Sequence, residues 1–293
     1  MLVSVIIPVF NDPRLGECLD ALARQSLPVE DFEVIVVDNG SEKPQRELVE
    51  SYPFARWAEE STPGSFAARN TALPMVQGEI LAFTDSDCVP DPEWLSTGVA
   101  AIRAAEKPIN IAGGIRVFPA KEGAPTAVEL LDMALAFDQE LNVTDGGYAV
   151  TANLIAPPGA FERVGSFNQE LLSGGDGEWC RRAGEAGIET VYVPESIVSH
   201  PARDSLAEVI RKRRRVIGGR YQRNRGRSLG GFLASVARNL FPNFKYYSRG
   251  RKKLASTGYG AWSAFRLAGM MTLVHYIGIF ENLRLRLGAK AER

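Results

Sequence analysis

The sequence predicts an α/β protein with a doubly wound sheet, and three observations support this fold class. Residues 3–9 and 33–37 are short runs rich in Val and Ile that end in turn residues, as expected of buried parallel strands. Between them, apolar residues recur at helical spacing from Leu15 to Leu22, behind an Asp-Pro pair that is typical of a helix start. Polar residues then stand where the predicted strands end, which is where such sheets bind ligands.

The chain continues this alternation as far as residue 204. Further helices are predicted at 44–51, 65–73, 92–105, 127–141 and within 174–187. Further strands are predicted at 56–59, 79–84, 110–118, 190–193 and 196–199. A basic helix begins near residue 205, and we place a functional boundary there.

The charges of the chain are divided sharply between its two parts. The net charge is only −1, yet residues 1–208 carry 14 Lys and Arg against 33 Asp and Glu, a net −19. Residues 209–293 carry 20 and 2, a net +18, with no acidic residue between Glu208 and Glu281. We therefore expect the basic part to contact something anionic: phosphates, a membrane surface or the acidic body itself.

The cysteines and the first residues indicate a cytoplasmic protein. Cys18, Cys88 and Cys180 form an odd set without a CxxC pair, which argues against a disulfide framework and a zinc knuckle and favours a reducing compartment. The chain opens on the first predicted strand, with neither a basic segment nor a cleavage site of the kind that marks a signal peptide.

Two carboxylates one residue apart, Asp85 and Asp87, follow the strand predicted at 79–84. At a strand end both can face a cleft, where they offer hard oxygen ligands to a Mg²⁺ or Mn²⁺ shared with a diphosphate. An Asp-Ser-Asp sequence before a helix is also common as a capping loop. The triplet by itself leaves both interpretations open.

Four runs together resemble, in order and spacing, the family-two glycosyltransferases. They are VIIPVFN at 5–11, VVDNGS at 36–41, GSFAARN at 64–70 and FTDSD at 83–87. The resemblance is specific over residues 3–95, looser over 150–203 and fades beyond.

The resemblance implies the GT-A fold, with a Rossmann-like mixed sheet flanked by helices. The catalytic domain would span 1–204, with nucleotide-sugar binding in 1–95 and the acceptor side and catalytic base in 96–204. Residues 205–293 would form a basic helical extension. The implied reaction is sugar transfer with inversion in one displacement.

The resemblance also implies a role for each matching residue. The donor site would comprise Pro8, Phe10, Asn11, Asp38, Arg69, Asn70, Asp85 and Ser86. Pro8 and Phe10 would line the nucleobase pocket, and Asp38 would accept a hydrogen bond from uracil N3–H. Arg69 and Asn70 would approach the ribose or diphosphate. As structural alternatives, Asp38 would be a turn residue and Arg69 a helix-surface residue.

The catalytic base and the third metal ligand come from later motifs. The family's usual Gly-Glu-Asp reads Gly174-Gly175-Asp176 here, so Asp176 keeps the position of the base although the preceding glutamate is lost. Asp176 would serve equally as a helix N-cap. His200 would complete a Mn²⁺ or Mg²⁺ site with Asp85 and Asp87, and its alternative is a structural histidine.

The basic extension contains nine Lys or Arg within 17 residues. They are residues 211, 212, 213, 214, 215, 220, 223, 225 and 227. A solvated helix face fits poorly because acidic i,i+4 partners are missing. We exclude nucleic acid because the body is acidic and no recognition motif is present. An anionic membrane surface is favoured, and Arg214 and Arg215 are candidates to reach the donor diphosphate.

The segment 259–288 strengthens the membrane hypothesis. It is apolar and rich in aromatic residues, but Arg266 interrupts it, and a central arginine is costly in a spanning helix. An interfacial helix on the inner face of the plasma membrane fits better. Packing on the catalytic domain or on another copy is the alternative, and the oligomeric state is open.

The sequence thus predicts a metal-dependent inverting glycosyltransferase that uses a UDP-sugar and a glycan or lipid-linked acceptor of the cell envelope. Two rival hypotheses are a sugar-phosphate nucleotidyltransferase and a nucleotide-binding scaffold without activity. The first would need a Gly-rich basic loop after the first strand, where Phe10-Asn11-Asp12-Pro13 stands instead. The second is motivated by Gly175.

Overall fold

The computed structural model describes residues 2–120, 123–171, 173–223, 228, 230–231, 240 and 244–290. Two compact units emerge from the contacts. The first comprises Met1–Arg116, Phe137–Glu170 and Gly175–His200, and the second Val117–Ala136, Leu171–Gly174 and Pro201–Arg293. The predicted functional boundary near residue 205 stays a prediction.

The strands form one mixed sheet of eight strands, ordered β3-β2-β1-β4-β7-β6-β8-β5. They are β1 Val3–Val9, β2 Phe32–Asp38, β3 Ala55–Glu59, β4 Ile80–Phe83, β5 Val89–Pro90, β6 Ile109–Phe118, β7 Leu154–Ala156 and β8 Glu189–Pro201. The pairs β3–β2, β2–β1 and β1–β4 are parallel, whereas β4–β7, β7–β6 and β8–β5 are antiparallel. The α/β class with a mixed sheet is confirmed.

The helices of the first unit are α1 Leu15–Leu22, α2 Arg46–Glu50, α3 Ser65–Ala72, α4 Trp94–Ala104, α6 Gln139–Gly146, α7 Ala160–Val164 and α8 Gly175–Glu185. Those of the second unit are α5 Ala127–Leu135, α9 Leu206–Arg223, α10 Phe244–Ser256 and α11 Ala261–Arg286.

The helix predicted at 127–141 is wrong as a single element. The chain leaves helical geometry at Ala136, and Phe137 adopts a left-handed φ of 53°. A second helix, α6, then begins behind Asp138, whose side chain accepts a hydrogen bond from the Leu141 N–H. The strands predicted at 190–193 and 196–199 are one continuous strand, β8.

The sheet of the first unit is buried on both faces, which explains its uninterrupted apolar strands. Val5 and Ile7 of β1 pack into one core cluster, whereas Ile6 packs into the other. Alternate residues of a strand point to opposite faces, so β1 serves both clusters at once. The loops that follow the parallel strands therefore extend from a sheet that is packed on both faces.

The second unit is helical and has its own core, drawn from α5, α9, α10 and α11. A capping box of Thr126 and Glu129 starts α5. Asp132 of α5 accepts hydrogen bonds from Arg203 at 2.8 and 3.2 Å. Glu281 of α11 is buried and pairs with Arg284 (2.7 Å) and Arg214 (3.5 Å).

Helix α11 has two contrasting faces. The buried side comprises Leu267, Met271, Gly278, Glu281 and Leu285. The exposed side carries a stripe of uncharged, mostly aromatic or aliphatic residues spaced three or four apart: Trp262, Phe265, Gly269, Leu273, Tyr276, Phe280, Leu283 and, just past the helix, Leu287. Within the described residues, α11 is the one helix long and apolar enough, by length and composition, to cross a membrane.

The basic run of 211–227 is only partly described. Arg225, Arg227 and the side chain of Arg223 lie outside the described residues. In the described part, Lys212 lies 3.9 Å from Asp132, and Arg213 packs so closely on Gly278 that an added Cβ would lie 2.9 Å from its Nε. Part of the basic helix therefore packs inside the second unit.

Candidate active site

Three parallel strands deliver acidic residues to one edge of the sheet. In the register of β1 with β2, Val9 is opposite Asp38, and in that of β1 with β4, Ile6 is opposite Phe83. The loops that leave these strands therefore begin at the same edge. They carry Asp12, Asp38, and the Asp85–Asp87 pair, as expected of a ligand site beyond the carboxyl ends of parallel strands.

Four side chains of the first unit converge on one point. One ligand atom each from Asp85, Asp87, Cys88 and His200 lies within 4.8 Å of all the others. His200 Nε2 is 3.5 Å from Asp87 Oδ2. Oxygen, imidazole and thiol donors at these separations fit a single divalent cation, so the predicted ligands Asp85, Asp87 and His200 are brought together.

Arg69 is buried next to this group and donates a hydrogen bond to the Asp85 carboxylate. It is 2% exposed, and its guanidinium donates to Asp85 Oδ1 at 2.5 Å and to the Ser65 carbonyl at 3.3 Å. Burial lowers the pKa of Arg69, while the charges of Asp85 and Asp176 oppose that shift. Its Nε has no hydrogen-bond partner among the described residues. Arg69 is thus a buried cation and not the helix-surface residue of the alternative hypothesis.

Arg14 is a second cation at the site, and sequence reasoning missed it. Its Nε and Nη2 donate to Asp12 at 2.9 Å each, and its Nη2 lies 3.3 Å from Asp87 Oδ2. Burial alone would raise the pKa of Asp12, but the hydrogen bonds and charge of Arg14 outweigh it and the pKa is lowered. Arg14 lies in the loop after β1, but its contact with Asp87 joins residues far apart in the sequence and has no local signal.

Asp38 is anchored by one oxygen and leaves the other unused. Its Oδ2 accepts hydrogen bonds from the N–H groups of Gly40 (3.2 Å) and Ser41 (3.0 Å). Its buried Oδ1 has no partner within the described part of the chain. Asn11, with φ of 51°, joins the same loop, since its N–H donates to Ser41 Oγ and its Oδ1 accepts from Glu42 N–H, both at 2.8 Å.

The other residues predicted to bind the sugar donor differ in their exposure and in their hydrogen bonds. Phe10 is 62% exposed at the end of β1, and Pro8 is half-buried. Ser86 donates to Asp12 at 3.4 Å. The amide of Asn70 is engaged at both ends with the backbone of Phe167, at 2.9 and 3.0 Å. The predicted roles of these residues toward a donor stay predictions.

Asp176 is the half-buried second residue of helix α8, inside the helix and not at the N-cap of the alternative hypothesis. Its Oδ1 accepts the Gly177 N–H at 2.9 Å. Burial raises the pKa of Asp176, opposed by the Gly177 hydrogen bond and by the charge of Arg69. The predicted role of Asp176 as a general base stays a prediction.

The side chains of Asp87 and His200 are both largely buried. Burial raises the pKa of Asp87, and the proximity of His200 opposes the shift. The His200 ring is buried and packs on Phe137, with ring centres 4.4 Å apart. The left-handed turn at Phe137 that breaks the predicted helix thus supplies the packing partner of a site residue.

Arg214 and Arg215 belong to the second unit. Arg214 is paired with Glu281 there, and Arg215 is exposed. Their predicted role at the donor diphosphate stays a prediction.

Comparison with known proteins finds matches to one family. A family model described as Glycosyl transferase family 2 matches residues 4–142. The glycosyltransferase AglE of Haloferax volcanii is 36% identical over 226 residues, which are 75% of this chain and 73% of that protein. The chain spans less than half the length of several other curated relatives.

Solved structures support the fold. The mannosyltransferase PcManGT from Pyrobaculum calidifontis, solved with GDP-Man and Mn²⁺, superposes with a TM-score of 0.64 at 21% identity, over 96% of this chain and 86% of that one. TarS 1-349 of Staphylococcus aureus with UDP-GlcNAc gives 0.56 at 19% identity, over 98% and 92%. The predicted GT-A fold is confirmed.

Proposed function

We propose that this chain, which belongs to glycosyltransferase family 2, transfers a sugar with inversion from a UDP-sugar to a hydroxyl of a glycan or lipid-linked acceptor. The observation that carries the proposal is the convergence of Asp85, Asp87 and His200 beside the buried Arg69. Two carboxylates that can hold a divalent ion, next to a buried arginine, suit the diphosphate of a nucleotide-sugar.

Asp85, Asp87 and His200 would hold Mn²⁺ or Mg²⁺. When bound, the ion would neutralise the charge that develops on the departing nucleoside diphosphate. Arg69 holds the Asp85 carboxylate in place through its 2.5 Å contact. The Mn²⁺ in the PcManGT structure supports a divalent ion here as well.

Asp176 would act as the general base. It would take the proton of the acceptor hydroxyl while that oxygen attacks the anomeric carbon from the face opposite the leaving diphosphate. A single displacement of this kind inverts the anomeric configuration and requires one carboxylate near the acceptor. Burial raises its pKa, which makes the carboxylate a stronger base than an exposed aspartate.

Asp38 would recognise the base through its unused Oδ1. A uracil N3–H is a donor that such a buried acceptor lacks. Guanine also has a ring N–H, and the PcManGT structure contains GDP-Man, so the nucleotide must be tested directly. Exposed Phe10 offers a ring on which a base could stack.

The basic, helical second unit would bind an anionic membrane surface, which would place the enzyme on the inner face of the plasma membrane. The exposed stripe of α11 supports this: Trp262, Phe265 and Phe280 are 69%, 70% and 64% exposed. An exposed apolar and aromatic surface in a unit rich in Lys and Arg is suited to binding at the membrane interface.

A donor panel tests the proposed activity. The purified chain is incubated with UDP- and GDP-sugars, with Mn²⁺, Mg²⁺ or EDTA, and products are read by mass. We expect nucleoside diphosphate release from a UDP-sugar that needs the metal and is lost in Asp176→Asn. Full turnover by that variant would exclude Asp176 as the base, and undiminished activity in EDTA would exclude the metal.

A further inference from the structure

Cys88 follows the Asp85–Asp87 pair directly, and its thiol belongs to the converging group. The Cys88 N–H donates to the Asp85 carbonyl at 3.1 Å, which closes a tight turn. Its Sγ lies 3.9 Å from Asp87 Oδ1 and within 4.8 Å of the ligand atoms of Asp85 and His200. Four ligand atoms around one ion at bonds of about 2.0–2.3 Å lie about 3.3–3.8 Å apart in a tetrahedron, so these side chains would need to move closer by about an ångström at most to share an ion.

We propose that Cys88 is a fourth protein ligand of this cation site and makes it selective for thiophilic divalent ions. The proposal rests on the proposed function, because it extends the metal site described there. Two carboxylates, one imidazole and one thiolate form a mixed set of hard and soft donors. Thiolate favours Zn²⁺ and Co²⁺, whereas Mg²⁺ prefers oxygen ligands in a near-octahedral shell.

Coordination by Cys88 exchanges one bond for another. The S–H bond breaks, the sulfur–metal bond forms with the sulfur lone pair, and the proton leaves to solvent. Neither oxidation nor reduction is involved. The thiol is fully buried and packs in the core of the first unit, so the competing explanation is that it serves there as a small apolar side chain.

The donor set also predicts how Zn²⁺ acts on the enzyme. Zn²⁺ bound by four protein ligands in a tetrahedron has no open position for a diphosphate oxygen. We expect Zn²⁺ to bind more tightly than Mn²⁺ or Mg²⁺ and to displace them. Zn²⁺ would therefore inhibit an enzyme that Mn²⁺ activates, and Cys88→Ser would weaken the inhibition.

The test is the absorption spectrum of the full chain with Co²⁺ after removal of bound metal. We expect a sulfur-to-cobalt charge-transfer band in the near ultraviolet. Cys88→Ser should lose the band and bind Zn²⁺ at least about tenfold more weakly. Cys180→Ser is the matched control, since that buried thiol contacts the Ala149 carbonyl at 3.9 Å and is no member of the group.

If Cys88→Ser fails to fold, Cys18→Ser still tests the assignment: its thiol lies 3.7 Å from the Asp85 carbonyl oxygen, and its removal should leave the band unchanged. Bound Co²⁺ without the sulfur band would overturn the proposal, as would a band that persists in Cys88→Ser. Mn²⁺ binding, followed by electron paramagnetic resonance in wild type and Asp87→Asn, separates this result from the proposed function. If wild type binds Mn²⁺ and Asp87→Asn does not, while bound Co²⁺ shows no sulfur band, the role of Cys88 is refuted and the metal-dependent transferase stands.

Discussion

The ring of Phe66 lies against the Cα atom of Gly175, so closely that an added Cβ would lie 2.6 Å from Cε2 of the ring. The same ring contacts Phe167, with centres 5.5 Å apart, and lies 5.8 Å from the guanidinium carbon of Arg69. The space that a glutamate at 175 would need is therefore occupied by an aromatic side chain. Glycine in place of the family's usual glutamate therefore fits the position of the Phe66 ring in this chain.

Restoring the usual glutamate should damage the protein. In Gly175→Glu, the Phe66 ring or the start of α8 must move, and overpacking of this kind costs about 1–3 kcal/mol in the free energy of unfolding. Because Asp176 is the next residue, we also expect transferase activity to fall. Thermal unfolding and donor turnover measure the two effects.

Gly184→Ala in the same helix is the control, since nothing lies within 4 Å of an added Cβ there. We expect it to be neutral or stabilising by up to about 1 kcal/mol. The double variant Phe66→Ala/Gly175→Glu should recover part of the lost stability. A Gly175→Glu protein as stable as the wild type would show that the ring does not restrict this position.

Much of the fold could be predicted from the sequence, because buried parallel strands appear there as continuous apolar runs. The predicted strand at 3–9 matches β1, and 33–37 and 79–84 fall within two residues of β2 and β4. Asp38 and Asp85 were found for the same reason, since the end of such a strand marks the edge where ligands bind.

The features that the sequence did not predict depend on contacts between residues far apart in the chain. The break at Phe137 is stabilised by packing on His200, which a local apolar pattern does not contain. Likewise, the loop after β1 brings Arg14 to Asp87, and the end of β8 brings His200 to Asp87 and Cys88, which the local sequence does not show. The predicted helix at 127–141 failed for this physical reason.

Asp176→Asn should separate activity from stability. Since the folded state raises the pKa of Asp176 by burial, the folded protein binds this proton more tightly than the unfolded chain does. That stabilisation is present below the unfolded pKa of about 3.9 and is lost as pH rises through the folded value. At pH 7 the charged carboxylate therefore destabilises the fold.

We expect Asp176→Asn to raise the midpoint of thermal unfolding at pH 7, with a gain that vanishes near pH 4. Turnover should fall by about 10²–10⁴-fold. In the wild type, kcat/KM should rise with pH across the raised pKa, because the base must be deprotonated. Glu178→Gln, whose carboxylate pairs with Arg182 at 2.8 Å, should keep this pH profile; its loss there would implicate Glu178 instead.

The two histidines of the chain allow a matched test of the metal site. His200→Asn removes a ligand beside Asp87, so Mn²⁺ should bind at least about tenfold more weakly and activity should require more Mn²⁺. His275→Asn changes a residue of α11 whose ring lies 5.4 Å from Tyr276, and it should leave Mn²⁺ affinity unchanged. Equal Mn²⁺ affinity in both variants would remove His200 from the ligand set.

The exposed stripe of α11 should bind the chain to anionic vesicles. Lipid contact would cover Trp262 and Phe265, whose rings stack 5.6 Å apart, while exposed Arg251 and Lys252 of α10 add about 1 kcal/mol each at low salt. We expect co-sedimentation with phosphatidylglycerol vesicles that weakens with salt and is lost in the double variant Trp262→Ser/Phe265→Ser. Val29→Ser, an exposed apolar position of the first unit, should bind as the wild type does. If the double variant instead dissociates a dimer in lipid-free solution and still sediments with vesicles, the stripe is the contact surface of a second copy.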